Sequence, residues 1–353
     1  MGSFIDTLKI AQPDARAAQL ARERWNAIAK PVGSLGALED IVVKIAALTG
    51  DEHVDVSRRC VAVMCADNGV VAQGVSQCGP EVTASVAQNL ARGTSSLCCM
   101  CVPLGAQVLA VDMGMFTRLD EPCLLDRHIA AGTCDISQGP AMTREQALQG
   151  IRTGIDLVGE LAVQGYRLVG AGEMGIGNTT TATAMACAFL GKDAGSLAGR
   201  GSGLSDEGLR RKALVINRAL EVNAPDADDP LDVLAKLGGF DLAGMCGLFL
   251  GGAVHRVPVI VDGLISTVAA YCALRLRPEC KMAMLASHVS AEPAAAMLME
   301  QMELRPVVDA GMRLGEGTGT TCLMALLDLA LSLYNRGLTF EESAIKAYEV
   351  DLW

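Results

Sequence analysis

Five short apolar runs, each closing on a polar or charged residue, limit what this chain can become more than any other feature. Residues 60–65 lead to Asp67, 107–111 to Asp112, 167–171 to Glu173, 257–261 to Asp262, and 281–286 to Ser287 and His288. Runs of this length alternating with amphipathic helical stretches are the mark of βαβ units and a parallel sheet. The expected fold is therefore α/β, a doubly wound, mainly parallel sheet of Rossmann-like type. Ligands of such sheets bind beyond the carboxyl ends of the strands, so all five ends point at one crevice. Asp67, Asp112 and Asp262 read equally well as helix N-caps.

The ends of the chain read differently. Residues 14–29, 38–48, 320–334 and 341–350 carry helical patterns with no good strand among them. Helices from both termini are expected to pack together as a small domain, residues 1–50 plus 320–353, beside a large α/β catalytic domain at 51–319. The stretch 223–230, rich in turn formers and charge, reads as an exposed connector rather than a boundary.

Composition removes several classes of function. Hydrophobic residues make up 51% and mean hydropathy is +0.33, yet the apolar stretches 243–254 and 263–274 are short and interrupted by His255, Arg256 and Asp262. Neither has the roughly 18 apolar residues a membrane span needs. The first residues show neither a basic nor an apolar leader segment, which makes the cytoplasm the expected location. The 13 cysteines then read as reduced, buried side chains, and Cys98 and Cys101 as core rather than a metal or redox pair. A formal charge of −11 with 3% aromatics offers no footprint for nucleic acid, so the expected partners are small molecules. Four scattered histidines, His53 and His128 among them, have no metal-ligand spacing, and neither a metal nor a cofactor is expected.

Two glutamates lie in glycine-rich turns far apart: Glu173 in Gly172-Glu173-Met174-Gly175-Ile176-Gly177-Asn178-Thr179-Thr180, and Glu316 in Arg313-Leu314-Gly315-Glu316-Gly317-Thr318-Gly319. The first turn joins a strand-like run to a helix-like one, an arrangement suited to phosphate and equally to a tight structural connection. It lacks a lysine before its threonines, so it is not a Walker loop. Counted from Gly172, its glycines are not those of a dinucleotide fingerprint.

Further motifs follow in order: Lys30-Pro31-Val32-Gly33-Ser34-Leu35-Gly36; Ala66-Asp67-Asn68-Gly69-Val70 with Gly74-Val75-Ser76; Gly132-Thr133; Gly139-Pro140-Ala141-Met142-Thr143; Gly199-Arg200-Gly201-Ser202-Gly203; and Ser287-His288-Val289-Ser290-Ala291-Glu292-Pro293. With the two glutamate turns, this ordered set resembles the nicotinate-nucleotide:dimethylbenzimidazole phosphoribosyltransferases, which make the lower nucleotide of cobamides. The resemblance spans nearly the whole chain. It departs at Ser202, where threonine is usual, at Val289, where a basic residue is usual, and at Cys78 in the base-pocket region. These departures bear on substrate preference rather than on reaction class.

The resemblance implies an enzyme that moves 5-phosphoribose from nicotinate mononucleotide to 5,6-dimethylbenzimidazole or a related base, working as a homodimer with a small second domain. Glu316 maps onto the family's catalytic glutamate, and its flanking glycines open the backbone to a ligand; it is the expected general base. Glu173, beside the expected phosphate turn, is assigned to ribose hydroxyls or a supporting catalytic role. Gly175, Gly177, Asn178 and Thr179 are the phosphate donors, joined by Gly201, Ser202 and Gly203, with Lys212 completing the cage or else lying solvated on its helix. Ser76, Gln88, Met174 and Leu314 are assigned to the base slot. His288 reads as structural. Two other functions fit the same scaffold: a nucleotide-binding protein without catalysis, and a hydrolase of nicotinate nucleotide.

Overall fold

The computed structural model describes residues 4–201 and 203–346. Its sheet is built from β1 (Arg59–Ala66), β2 (Gln107–Gly114), β3 (Leu124–Asp126), β4 (Leu168–Met174), β5 (Val259–Val261) and β6 (Met284–Ala286). All five pairings are parallel, and the order is β3-β2-β1-β4-β5-β6. That is the order of a doubly wound Rossmann sheet, whose winding reverses between β1 and β4 and opens a crevice at their carboxyl ends. The five expected runs all became strands. The last two are shorter than their apolar runs; β6 starts late because 278–283 turn as a 3-10 helix ahead of it.

Alternation along β1 separates two cores. Cys60, Ala62, Met64 and Ala66 face one core, built with the helices Arg144–Val163 and Phe240–His255; Val61, Val63 and Cys65 face the other. The two helices of the first core touch backbone to backbone. A Cβ on Gly154 would lie 2.1 Å from the Gly244 carbonyl oxygen, and one on Gly247 would lie 2.1 Å from that of Ile151.

The second core holds the terminal helices Ala15–Ala27, Ala37–Thr49 and Thr318–Arg336. Trp25, Ile45, Leu323, Met324 and Leu327 join Val61, Val63, Leu168, Ile260 and Leu285 of the sheet in one apolar cluster. The terminal helices pack together, and the core they enclose is shared with the sheet. Toward the end of the chain, the helix expected over 341–350 is the single turn Phe340–Ser343, stopped by Ala344 in left-handed backbone at φ 54°; residues 347–350 lie outside the described residues.

Candidate active site

The crevice at the switch point is a cavity of about 320 Å³. Its walls carry Glu173 from the end of β4, the turn 174–179, Asp262 after β5, His288 after β6, and the turn 312–316. Residues from distant parts of the chain meet here because parallel strands deliver all their carboxyl ends to one edge.

The two glutamate turns are in direct contact. The backbone N–H of Glu316 donates to Glu173 Oε1 at 3.3 Å. A Cβ on Gly172 would lie 2.7 Å from the Glu316 carbonyl oxygen, and one on Gly170 would lie 2.5 Å from Thr320 Oγ1. Gly170, Gly172 and Gly175 therefore have the spacing of a dinucleotide fingerprint for another reason. The first two lie inside β4 and admit the start of helix Thr318–Arg336 against the strand.

Glu173 is buried, with both carboxyl oxygens engaged. Oε2 accepts from Asn178 Nδ2, whose amide also donates to Asp241 Oδ2 at 3.0 Å. Burial, with Asp241 adding like charge, pushes Glu173 up to about 8, and burial pushes Asp241 to about 6. Glu173 is accordingly protonated at neutral pH. This removes the repulsion its charge would exert on a neighbouring phosphate.

Glu316 is held differently. It sits in left-handed backbone at φ 60°, between Gly315 and Gly317, which share that conformation. Its Oε2 is buried without a hydrogen-bond partner, and burial followed by the charge of Asp262 raises its pKa above the ordinary carboxylate value. A buried carboxylate oxygen with no donor is costly unless a ligand supplies one.

Asp262 accepts from Gly317 N–H at 3.1 Å and Gly319 N–H at 2.7 Å, so it caps helix Thr318–Arg336 from a neighbouring strand. Of the other two candidate caps, Asp112 serves its own loop and Asp67 also reaches the loop that follows β2. Asp112 accepts from Gly114 and Met115 N–H and pairs with Arg118, while Asp67 accepts from Phe116 N–H at 2.7 Å.

Several expected contacts come out differently. Asn178 is spent internally, its amide on Glu173 and Asp241 and its backbone N–H on the Gly175 carbonyl, which leaves it no donor for phosphate. Lys212 is fully buried behind the cavity wall rather than solvated. Its Nζ donates to Thr179 Oγ1 at 2.9 Å and to the Gly199 carbonyl at 3.2 Å, and burial lowers its pKa to about 8. Gln88 does not line the cavity, because its amide donates to Glu121 Oε1 at 2.6 Å. Gly203 also lies off the wall, its carbonyl accepting from Gln77, and Ser202 lies outside the described residues. Gly175, Gly177, Thr179, Gly201, Ser76, Met174 and Leu314 all line the cavity, as does buried His288.

Arg200 and Glu292 also line it, and no role was expected of either although both lie in quoted motifs. Arg200 pairs with Asp206 at 2.5 Å; Glu292 Oε1 accepts the Gly201 N–H at 3.0 Å. Among the described residues, the one group of three potential metal ligands is Asp51, half-buried Glu52 and His53, none of which lines the cavity.

A phosphoribosyltransferase family model matches residues 10–345. A nicotinate-nucleotide–dimethylbenzimidazole phosphoribosyltransferase of Ruminiclostridium cellulolyticum is 44% identical over 331 residues, 94% of each chain. The chain belongs to this phosphoribosyltransferase family. The enzyme of the same name from Acetivibrio thermocellus is 42% identical over 94% of each chain. Among solved structures, CobT of Thermus thermophilus superposes with a TM-score of 0.89 at 36% identity, covering 94% of this chain and all of that one. The phosphoribosyltransferase fold thus extends over the β-strands and the terminal helices together. No helix among the described residues is long and apolar enough to cross a membrane.

Proposed function

We propose that this phosphoribosyltransferase moves 5-phosphoribose from nicotinate mononucleotide to 5,6-dimethylbenzimidazole or a closely related base, releasing nicotinate. The bond from C1′ to the pyridine nitrogen breaks, and the electron pair leaves with nicotinate, which departs as a neutral ring and needs no acid. A ring nitrogen of the acceptor forms the new bond to C1′. The second ring nitrogen becomes cationic, and its proton passes to Glu316. The observation that carries this reading is Glu316 Oε2, a buried acceptor without a donor on the wall of the cavity.

Glu173, neutral and fully hydrogen-bonded, braces the Glu316 backbone instead of exchanging protons. The phosphate is assigned to Gly175, Gly177 and Thr179 at the start of helix Asn178–Leu190, to Gly201 and to Arg200. Lys212 supports that site through Thr179. A phosphate oxygen that takes the Gly201 N–H competes with Glu292 for it. Ser76, Met174 and Leu314 are assigned to the acceptor base.

We further propose a cytoplasmic homodimer; exposed Leu329 and Leu338 on and after helix Thr318–Arg336 support an apolar contact there. Sedimentation as a monomer at micromolar concentration contradicts the dimer. For the reaction, the protein is mixed with nicotinate mononucleotide with and without dimethylbenzimidazole, and free nicotinate is measured. Release that requires the acceptor supports transfer. Release without acceptor indicates a hydrolase, and no release indicates a binding protein.

A further inference from the structure

We infer that Asp262 is a positioning residue for Glu316, holding the catalytic turn from outside through two backbone hydrogen bonds and setting the electrostatic field in which the base works. The inference rests on Glu316 being the base.

Asp262 is 2% exposed and directly follows β5, far from Glu316 in the sequence. Its two oxygens take separate N–H groups, Oδ2 from Gly317 and Oδ1 from Gly319, on the residues that follow Glu316. Its own backbone N–H donates to Ser266 Oγ at 3.1 Å, which ties the carboxylate's base to helix Leu264–Leu276. Burial raises the pKa of Asp262, and His288 beside it and the amides of Gly317 and Gly319 oppose that rise and favour the anion.

Three consecutive residues at φ between 60° and 88° do not hold themselves in place, since left-handed backbone is unfavourable at a residue with a side chain such as Glu316. The turn is clamped at both ends of the glutamate: Glu173 takes the N–H of Glu316 on one side, and Asp262 takes those of Gly317 and Gly319 on the other. No room exists for a substitute. A Cβ on Gly319 would lie 2.6 Å from Asp262 Oδ1 and 2.0 Å from His288 Nδ1.

The charged and titratable groups around Glu316 come from every strand end packed against its turn. They are Glu173 at the end of β4, with Asp241 behind it through Asn178; Asp262 after β5; His288 after β6, its Nδ1 3.8 Å from Asp262 Oδ1; and Arg313 on the turn itself. Of these, Asp262 is the neighbour whose charge raises the pKa of Glu316, after burial itself.

The test is the pH profile of kcat for Asp262→Asn and Asp262→Glu, with Glu316→Gln alongside. Asp262→Asn removes the like charge and one acceptor. Its kcat is expected to fall roughly 10- to 100-fold through misplacement of the base, while KM for nicotinate mononucleotide changes by less than about threefold. Its acidic limb is expected to move to lower pH by roughly one unit. Asp262→Glu keeps the charge but displaces the turn, so its kcat falls while the limb stays at the wild-type position. An Asp262→Asn limb that does not move, or a kcat within about twofold of wild type, overturns the inference. If Asp262→Asn does not fold, an Asp262→Glu limb displaced from wild type, or an unimpaired kcat, overturns it instead. If Glu316→Gln keeps its turnover, the reading of Glu316 as base has failed, and that outcome is separate from failure at Asp262.

Discussion

Glu173 and Glu316 reach one cavity from two glycine-rich turns and burial raises the pKa of both, yet their backbone and hydrogen bonding differ. Glu173 ends a buried central strand in regular backbone, accepts a hydrogen bond at each oxygen, and is pushed up to about 8, so it is neutral at pH 7. Glu316 sits in left-handed backbone between two glycines, leaves one buried oxygen unpartnered, and faces the cavity. A carboxyl with every acceptor site filled is part of the framework. One with a free acceptor in a strained, clamped turn is placed to receive a proton. Both residues are glutamates that follow a glycine, so it is the backbone and the hydrogen bonds around them that distinguish the roles.

Turnover should separate the two glutamates most strongly. Glu316→Gln keeps the shape and removes the charge, and steady-state kcat is expected to fall by roughly 10²–10⁴ with nicotinate mononucleotide binding retained. Lys212→Ala, behind the turn that carries Glu173, is expected to weaken nicotinate mononucleotide by about 1.5–3 kcal/mol and the acceptor base much less. Equal losses in calorimetric titrations of both substrates contradict a phosphate role. Because Lys212 loses its proton near pH 8, kcat/KM for the nucleotide should decline as pH rises through that value.

Glu173→Gln probes the other turn. It preserves the neutral form already present, so kcat should fall by only about tenfold or less. Its signature lies in stability. Between its ordinary value of 4.5 and about 8, the folded chain holds a proton that the unfolded chain releases. The resulting stabilisation is fully present below 4.5 and is lost as pH rises through about 8. Urea unfolding across that range should show a downward slope in the wild type that flattens in Glu173→Gln. The smallest effect is expected at Glu316→Gly, which relieves left-handed strain and should leave an inactive protein more stable by about 0.5–1 kcal/mol. A destabilised Glu316→Gly would mean that the turn is not strained.

The parts of this site that local pattern determines were legible in the sequence. Apolar runs marked the five long or buried strands; of their polar ends, Glu173, Asp262 and His288 line one crevice, while Asp67 and Asp112 hold loop amides outside it. β3 escaped because Leu124–Asp126 is a three-residue edge strand with no periodicity to read. The long-range pairings were invisible. Asp241 opens an apolar helix with nothing around it to mark a second acid beside Asn178, and Glu121 draws Gln88 away from the cavity from 33 residues along the chain. Lys212 follows Arg210 and Arg211 in what reads as a solvated charge run, and only the packing of helix Asp206–Asn223 turns that one side chain inward.

The role of Glu316 as base is best examined through the acceptor dependence of Glu316→Gln in single turnover, comparing dimethylbenzimidazole at neutral pH with an acceptor base already deprotonated in solution. An acceptor without a proton to lose does not need the carboxylate in the transition state. If Glu316 takes the proton, the deprotonated acceptor recovers part of the lost rate in Glu316→Gln and none in Glu173→Gln. Near-normal turnover of Glu316→Gln with neutral dimethylbenzimidazole would contradict that role.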